Sequence, residues 1–190
     1  MKSALVYGAD EFFGLSFCEH LMEEGVSVDV KLAKASDDIK RLYFEERLMW
    51  LVRNQHFRLI EQELEGDYDK IFIQYTGCMP EEALDVLPEN KPAFLLVYEH
   101  LLEDVKEAAE QKGVEMIVLP DMYGPWDIRN EDKENRESAF FVDDVAAQLA
   151  FYAIQKSPSP LRFERQTADE EAAAKIEEWK RQMTTFFDKK

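Results

Sequence analysis

Ser3–Gly14, SALVYGADEFFG, decides the fold of this chain. Ala4, Leu5, Val6 and Tyr7 predict a short buried strand, Gly8 a turn, and Phe12–Gly14 the first turn of a helix. A strand that runs through a glycine into a helix N-terminus presents free backbone N–H groups and the positive end of the helix dipole, which together make an anion cradle. The dinucleotide fingerprint asks for three glycines in such a turn. In Gly8-Ala9-Asp10-Glu11-Phe12-Phe13-Gly14 the first and last stand in place, and Glu11 takes the middle position. The middle glycine lets main chain approach a pyrophosphate. A glutamate there adds bulk and a like charge, a repulsion of ~1 kcal/mol in water at about 4 Å and ~4 kcal/mol at an effective dielectric near 20. Gly8, Asp10, Glu11, Phe12, Phe13 and Gly14 are the candidate cofactor-binding residues. In the competing reading, the Asp10 and Glu11 carboxylates occupy the helix's anion position themselves.

Working outward, Phe13, Phe17, Leu21 and Met22 share one face of a helix over Phe12–Glu24, closed by Gly25. Ser27–Leu32 is the next strand, so residues 3–32 form one β-α-β unit, a length that suits a right-handed parallel crossover. Ser36-Asp37-Asp38 is a cap signal before a helix at Ile39–Arg53. That helix has two apolar stripes: Ile39, Leu42, Tyr43, Met49 and Trp50 on one side, Phe44, Leu48 and Leu51 on the other. A helix apolar on two sides packs against two things. The second is either another part of this chain or a protein partner, including a second copy in a homo-oligomer. Further strands are expected at Phe57–Ile60, Lys70–Tyr75, Pro92–Tyr98 and Val114–Leu119, with helices at Pro80–Leu87 and at Leu101–Lys112 before Gly113. Alternating strands and helices make the fold class α/β, a doubly wound parallel sheet of Rossmann-like type. Asp121–Trp126 reads as a turn, Asp127–Ser138 as a polar surface loop, Val145–Gln155 as a helix and Ser157-Pro158-Ser159-Pro160 as a hinge. Leu161–Arg165 reads as a short strand before a last helix at Asp169–Phe187. The organisation is a Rossmann-like domain over 1–156 and a C-terminal strand and helix, 157–190, packed on it.

Length and charge narrow the function. The chain has 190 residues, 46% of them hydrophobic, and a net charge of −17. Nucleic acid and anionic membrane surfaces need Lys and Arg, so neither is an expected partner. No apolar run of about 18 residues and no signal-peptide pattern is present, and the expected location is the cytoplasm. Cys18 and Cys78 do not make a disulfide framework, and Cys18, on an amphipathic helix, reads as a buried thiol. His20, His56 and His100 are scattered without ligand spacing, so no metal site is assigned. No Gly-x-Ser-x-Gly elbow occurs. Asp143 and Asp144 precede a helix and read as its cap and dipole partners.

Three blocks, VYGADEFFG at the start, MYGPW at 122–126 and FFVDDVAAQLA at 140–150, resemble the extended short-chain dehydrogenase/reductase family of sugar-nucleotide epimerases and dehydratases. The resemblance spans roughly residues 1–155 and implies a Rossmann sheet, a nicotinamide cofactor and a small C-terminal substrate lobe. The departures are specific. The acidic residue that the family sets at the end of the second strand, on the ribose of NAD, is Leu32 here. Lys31 and Lys34 stand close enough to hold the 2′-phosphate of NADP or are ordinary solvated lysines. The family's Tyr-x-x-x-Lys pair is absent; Leu102 stands four residues before Lys106. No catalytic residue is assigned, with Tyr98 or His100 as substitute acid in the alternative. Between YGP and the FFVDDVA block only the polar stretch Asp127–Ala139 replaces the family's pocket-forming segment. The reading is a non-catalytic relative acting as a binding or regulatory protein, with no cofactor or only weak NADP. The alternative is an atypical NADP-dependent reductase or epimerase, and a third is a plain oligomeric scaffold.

Overall fold

The computed structural model describes residues 1–34, 38–61, 66–77, 92–128, 138–155 and 161–187. The readings at Ser36-Asp37, Cys78, Pro80–Leu87 and Ser157–Pro160, and most of the Asp127–Ser138 loop, lie outside them.

Six parallel strands form the central sheet: β1 (Ser3–Ala9), β2 (Ser27–Leu32), β3 (Phe57–Leu59), β4 (Lys70–Tyr75), β5 (Ala93–Tyr98) and β6 (Glu115–Leu119), in the order β3-β2-β1-β4-β5-β6. This is the order of the doubly wound dinucleotide-binding sheet. The chain runs one way from β1 to β3 and the other way from β4 to β6. The switch point therefore falls between β1 and β4, where Tyr7 pairs with Ile73. The register of β1 on β2 shifts between Tyr7 and Ala9, at Gly8, and Ala9 still pairs with Leu32 beyond the shift.

Strand alternation sorts the core. Ala4, Val6, Val28, Val30, Phe72 and Leu96 face one side, under α1 (Phe13–Glu23), α2 (Asp38–Leu51) and a later helix, and Leu5, Ile71, Ile73, Leu95 and Val97 face the other, under α3 (Leu102–Lys112). Phe13 and Phe17 are fully buried, and the Phe17 ring meets Phe72 edge-on at 4.9 Å. Each such side chain contributes roughly 1.5–3 kcal/mol. Cys18 is buried, and its desolvation pushes the thiol up against the opposing charge of Arg47, so it behaves as a packed apolar group. On α2, Phe44 and Leu51 face the core while Ile39, Met49 and Trp50 are exposed, as is Val52 just after it.

Four readings need correction. Asp121–Trp126 is not only a turn: β7 (Met122–Tyr123) pairs in parallel with β8 (Phe140–Phe141). The next helix, α4 (Val142–Gln155), starts directly after β8, three residues before the expected Val145. No strand forms at 161–165. The Gln148 side chain takes the place of a neighbouring strand, accepting from the Glu164 N–H at 2.9 Å and donating to the Glu164 carbonyl at 2.8 Å. Asp144 is not a cap. It is buried and accepts from the N–H groups of Gln166 (2.9 Å) and Thr167 (3.0 Å) and the Thr167 hydroxyl (2.6 Å), so it anchors the chain that leads into α5 (Asp169–Phe187). Among the described residues no helix is long and apolar enough to cross a membrane.

The outer half of the sheet carries a charged clamp. Asp29 on β2 accepts from Arg58 Nε on β3 at 2.9 Å and from the Tyr68 hydroxyl at 2.7 Å. Burial alone would raise the Asp29 carboxyl, but the bonds from Arg58 and Tyr68 and the charge of Arg58 bring it below its ordinary value of 3.8. Burial, then the bond to Asp29 and its charge, pushes Tyr68 from 10.0 to about 12. A carboxyl that is lower in the folded chain stabilises it above pH 3.8 and loses that effect as the pH falls further. A phenol that is higher in the folded chain stabilises it below pH 10 and loses that effect as the pH rises toward 12. Urea titrations across pH should therefore show an acid limb that shrinks in Asp29→Asn and an alkaline limb that shrinks in Tyr68→Phe.

Candidate functional site

The site that the fold offers is the switch point at the carboxyl ends of β1 and β4, at the start of α1. Gly8 has φ +76°, and a Cβ there would lie 2.7 Å from the Gln74 carbonyl oxygen. At Gly14 a Cβ would lie 2.2 Å from Gln74 Oε1 and 2.7 Å from Ala9 Cα. Both glycines are thus required by close approach of this chain's own β4 and turn.

Asp10 joins the start of α1 to β4. Its Oδ1 accepts the Gly14 N–H at 2.7 Å, and its Oδ2 accepts from the Gln74 side-chain amide at 2.8 Å. The Asp10 N–H in turn donates to Gln74 Oε1 at 3.2 Å. A carboxylate on the first free N–H groups of a helix is the arrangement that a bound anion would otherwise make. Glu11 does not share that position: its buried carboxylate turns toward α2, with Lys40 Nζ 3.8 Å away. Phe12 and Phe13 are buried in the core beneath the turn.

From α2, Arg47 closes over the outside of the same turn. One guanidinium nitrogen donates to the Glu11 carbonyl at 2.5 Å and the Phe12 carbonyl at 2.9 Å; the other donates to Ser16 Oγ at 2.8 Å and Glu19 Oε2 at 2.6 Å. Its planar fork suits four acceptors at once. Trp126, in the left-handed region at φ 68°, a conformation uncommon for a bulky residue, brings its ring to 5.2 Å from the guanidinium carbon. Trp179 of α5 stands 5.9 Å from that ring, with Tyr43 6.1 Å from Trp179. Sequence reasoning missed Arg47 and Gln74. Each left a signal: Arg47 is a charge set in the Phe44, Leu48, Leu51 stripe, and Gln74 is a polar residue inside the apolar run KIFIQY.

The other nominated residues are dispersed. Lys31 Nζ lies over the Tyr7 ring at 5.0 Å, and Lys34 is exposed. Leu32 is half-buried. Tyr98, buried at the end of β5, stacks on the exposed His100 ring at 5.7 Å. Asp143 faces α5, with Lys175 Nζ 4.0 Å away; burial raises its carboxyl, against the pull of His20 and Lys175.

No family model matches the chain. Among solved structures it resembles the capsular polysaccharide assembling protein CapF of Staphylococcus aureus, at 17% identity and a TM-score of 0.46 over 83% of this chain and 47% of CapF. It also resembles vestitone reductase of alfalfa, at 15% identity and 0.49 over 84% of this chain and 75% of that one. A short-chain dehydrogenase of Streptomyces avermitilis matches at 11% identity and 0.48 over 98% of this chain and 96% of its own. The chain spans about half the length of CapF. In sequence it is 42% identical over 198 residues to the protein YjaV of Bacillus subtilis strain 168, and the match covers 100% of both chains. The chain, a Rossmann-type sheet whose glycine turn is bonded to its own Asp10, therefore belongs to the family of Bacillus subtilis YjaV.

Proposed function

We propose that this protein is a non-catalytic Rossmann-fold relative of the NAD(P)-dependent epimerases and reductases, acting as a binding or regulatory protein. One observation carries the reading: the Asp10 carboxylate already holds the Gly14 N–H and the Gln74 amide at the switch point. A pyrophosphate in that place would have to displace a bonded carboxylate and then lie beside its charge. The residues present do not fit a dinucleotide, and no chemical step is assigned to one. The absence of a Tyr-x-x-x-Lys pair and of an acidic residue at Leu32 supports the same reading. The exposed side chains of Ile39, Met49 and Trp50 on α2 support a protein partner or a second copy of the chain as the bound species.

The alternative, an NADP-dependent reductase or epimerase with Tyr98 as its acid, is favoured by the burial of that tyrosine beside His100. Thermal unfolding with NADPH and NADH separates the two. A ligand at a hundredfold excess over its dissociation constant stabilises by roughly 2.7 kcal/mol. The non-catalytic reading predicts an unchanged melting temperature at millimolar cofactor, and a concentration-dependent rise supports the alternative.

A further inference from the structure

Of the two apolar stripes on α2, the one through Phe44, Leu48 and Leu51 packs on the core of the sheet. The other is covered only in part. The Tyr43 ring meets Trp126 at 6.3 Å and Trp179 at 6.1 Å, and Leu42 is half-buried. Ile39, Met49 and Trp50 remain 61%, 48% and 63% exposed. Ile39 and Trp50 stand about three helical turns apart on one side of α2, roughly 16 Å along its axis, with Leu42 and Met49 between them. Trp50 also lines a cleft with Trp126 and Met183, which carries the apolar surface on toward α5. Single exposed apolar residues need no explanation, but a contiguous row marks an interaction surface.

Charge points to the species that covers this row. With a net charge of −17, two copies of the chain repel over most of their surface. α2 differs. Its acids, Asp38, Glu45 and Glu46, are balanced by Lys40, Arg41 and Arg47, whereas α1, α3, α4 and α5 each carry two more acids than bases. The two ends of the row also differ in sign. Asp38 stands at the Ile39 end; Arg53, with its guanidinium carbon 5.3 Å from the Trp50 ring, stands at the other. Two copies of α2 laid antiparallel about a two-fold axis bring Asp38 of each against Arg53 of the other, and Ile39 against Met49 and Trp50. A parallel pair would set Asp38 against Asp38. A patch complementary to itself is what a two-fold dimer requires. Glu45 comes nearest to the axis and to its own equivalent, and Arg41 Nε, 4.0 Å from its carboxylate, offsets that repulsion.

We infer that the chain forms a two-fold dimer through antiparallel α2 helices, with Ile39, Leu42, Met49 and Trp50 at its centre and Asp38 paired with Arg53 at both ends. This dimer rests on the reading of the exposed α2 face as a binding surface, but not on the glycine turn, so its test and the NADPH melting experiment fail independently. One helix face is small beside the roughly 1,200–2,000 Å² of a stable interface, so the dimer is weak and depends on concentration.

Sedimentation velocity of the full-length protein, from low-micromolar to near-millimolar concentration, should show monomer giving way to dimer. Trp50→Asp, at a side chain open to solvent in the monomer, should weaken the dimer about tenfold or more. Asp38→Arg and Arg53→Asp should each weaken it several-fold, and the double variant should restore it, because the antiparallel pair sets those residues opposite each other. Melting transitions confirm that the variants fold; should Trp50→Asp not fold, Met49→Glu takes its place. A chain that stays monomeric over the whole range, a dimer indifferent to Trp50→Asp, or a double charge swap no tighter than the single ones overturns the inference. A strict monomer would still leave a different protein as the partner of α2.

Discussion

Arg47→Ala is expected to cost about 3–5 kcal/mol of folding stability, the range seen when one partner of a buried charged contact is removed. The guanidinium is bonded to four acceptors on the first turns of α1: the carbonyls of Glu11 and Phe12, the Ser16 hydroxyl and the Glu19 carboxylate. Alanine removes all four of these bonds at once, while the Ser16 hydroxyl keeps its own bond to the Phe12 carbonyl at 2.9 Å, and each lost bond to a charged group costs roughly 1.5–3 kcal/mol. Arg47→Lys should rescue little, because a single ammonium cannot span acceptors arranged for a fork. Urea denaturation checks this through the midpoint at unchanged slope. A loss below about 1 kcal/mol in the alanine variant would mean that water replaces the guanidinium without penalty.

Gly8→Ala is expected to cost about 2–5 kcal/mol, and to do so in protein that has never met a nucleotide. The left-handed backbone at φ +76° costs an L-residue roughly 1–2 kcal/mol. The new Cβ at 2.7 Å from the Gln74 carbonyl adds an overpacking strain of about 1–3 kcal/mol, because the obstacle is main chain of a central strand and cannot swing aside. If Gly8 served only a cofactor's approach, the ligand-free variant would lose no more than the backbone cost. Denaturation of purified Gly8→Ala, with nucleotide removed, distinguishes these outcomes.

The sheet was legible because its strands are short apolar runs separated by glycine turns and amphipathic helices. Val6, Phe72 and Leu96 follow the alternation that puts them under α1 and α4. What escaped was pairing across distance. The β7–β8 ladder joins two residues to two, too short to leave a period in sequence. Leu161 and Phe163 alternate as a strand would and pack against the core, yet what the adjoining backbone meets, at Glu164, is the single side chain of Gln148. Asp144 reads as a helix-start acid because nothing near it in sequence announces that Gln166 and Thr167 return to it. At the site, the turn itself stood out through Gly8 and Gly14. Which acid enters the anion position did not: Asp10 and Glu11 are adjacent and alike, and the choice is made by Gln74, 64 residues away from Asp10, on one side and by Lys40 on the other.

Crystals soaked in NADPH test the place of the Asp10 carboxylate most directly. The expected maps keep Asp10 on the Gly14 N–H and the Gln74 amide, with no dinucleotide over the turn. A pyrophosphate bonded to the Gly14 N–H, with Asp10 swung out and Gln74 released, would contradict that placement.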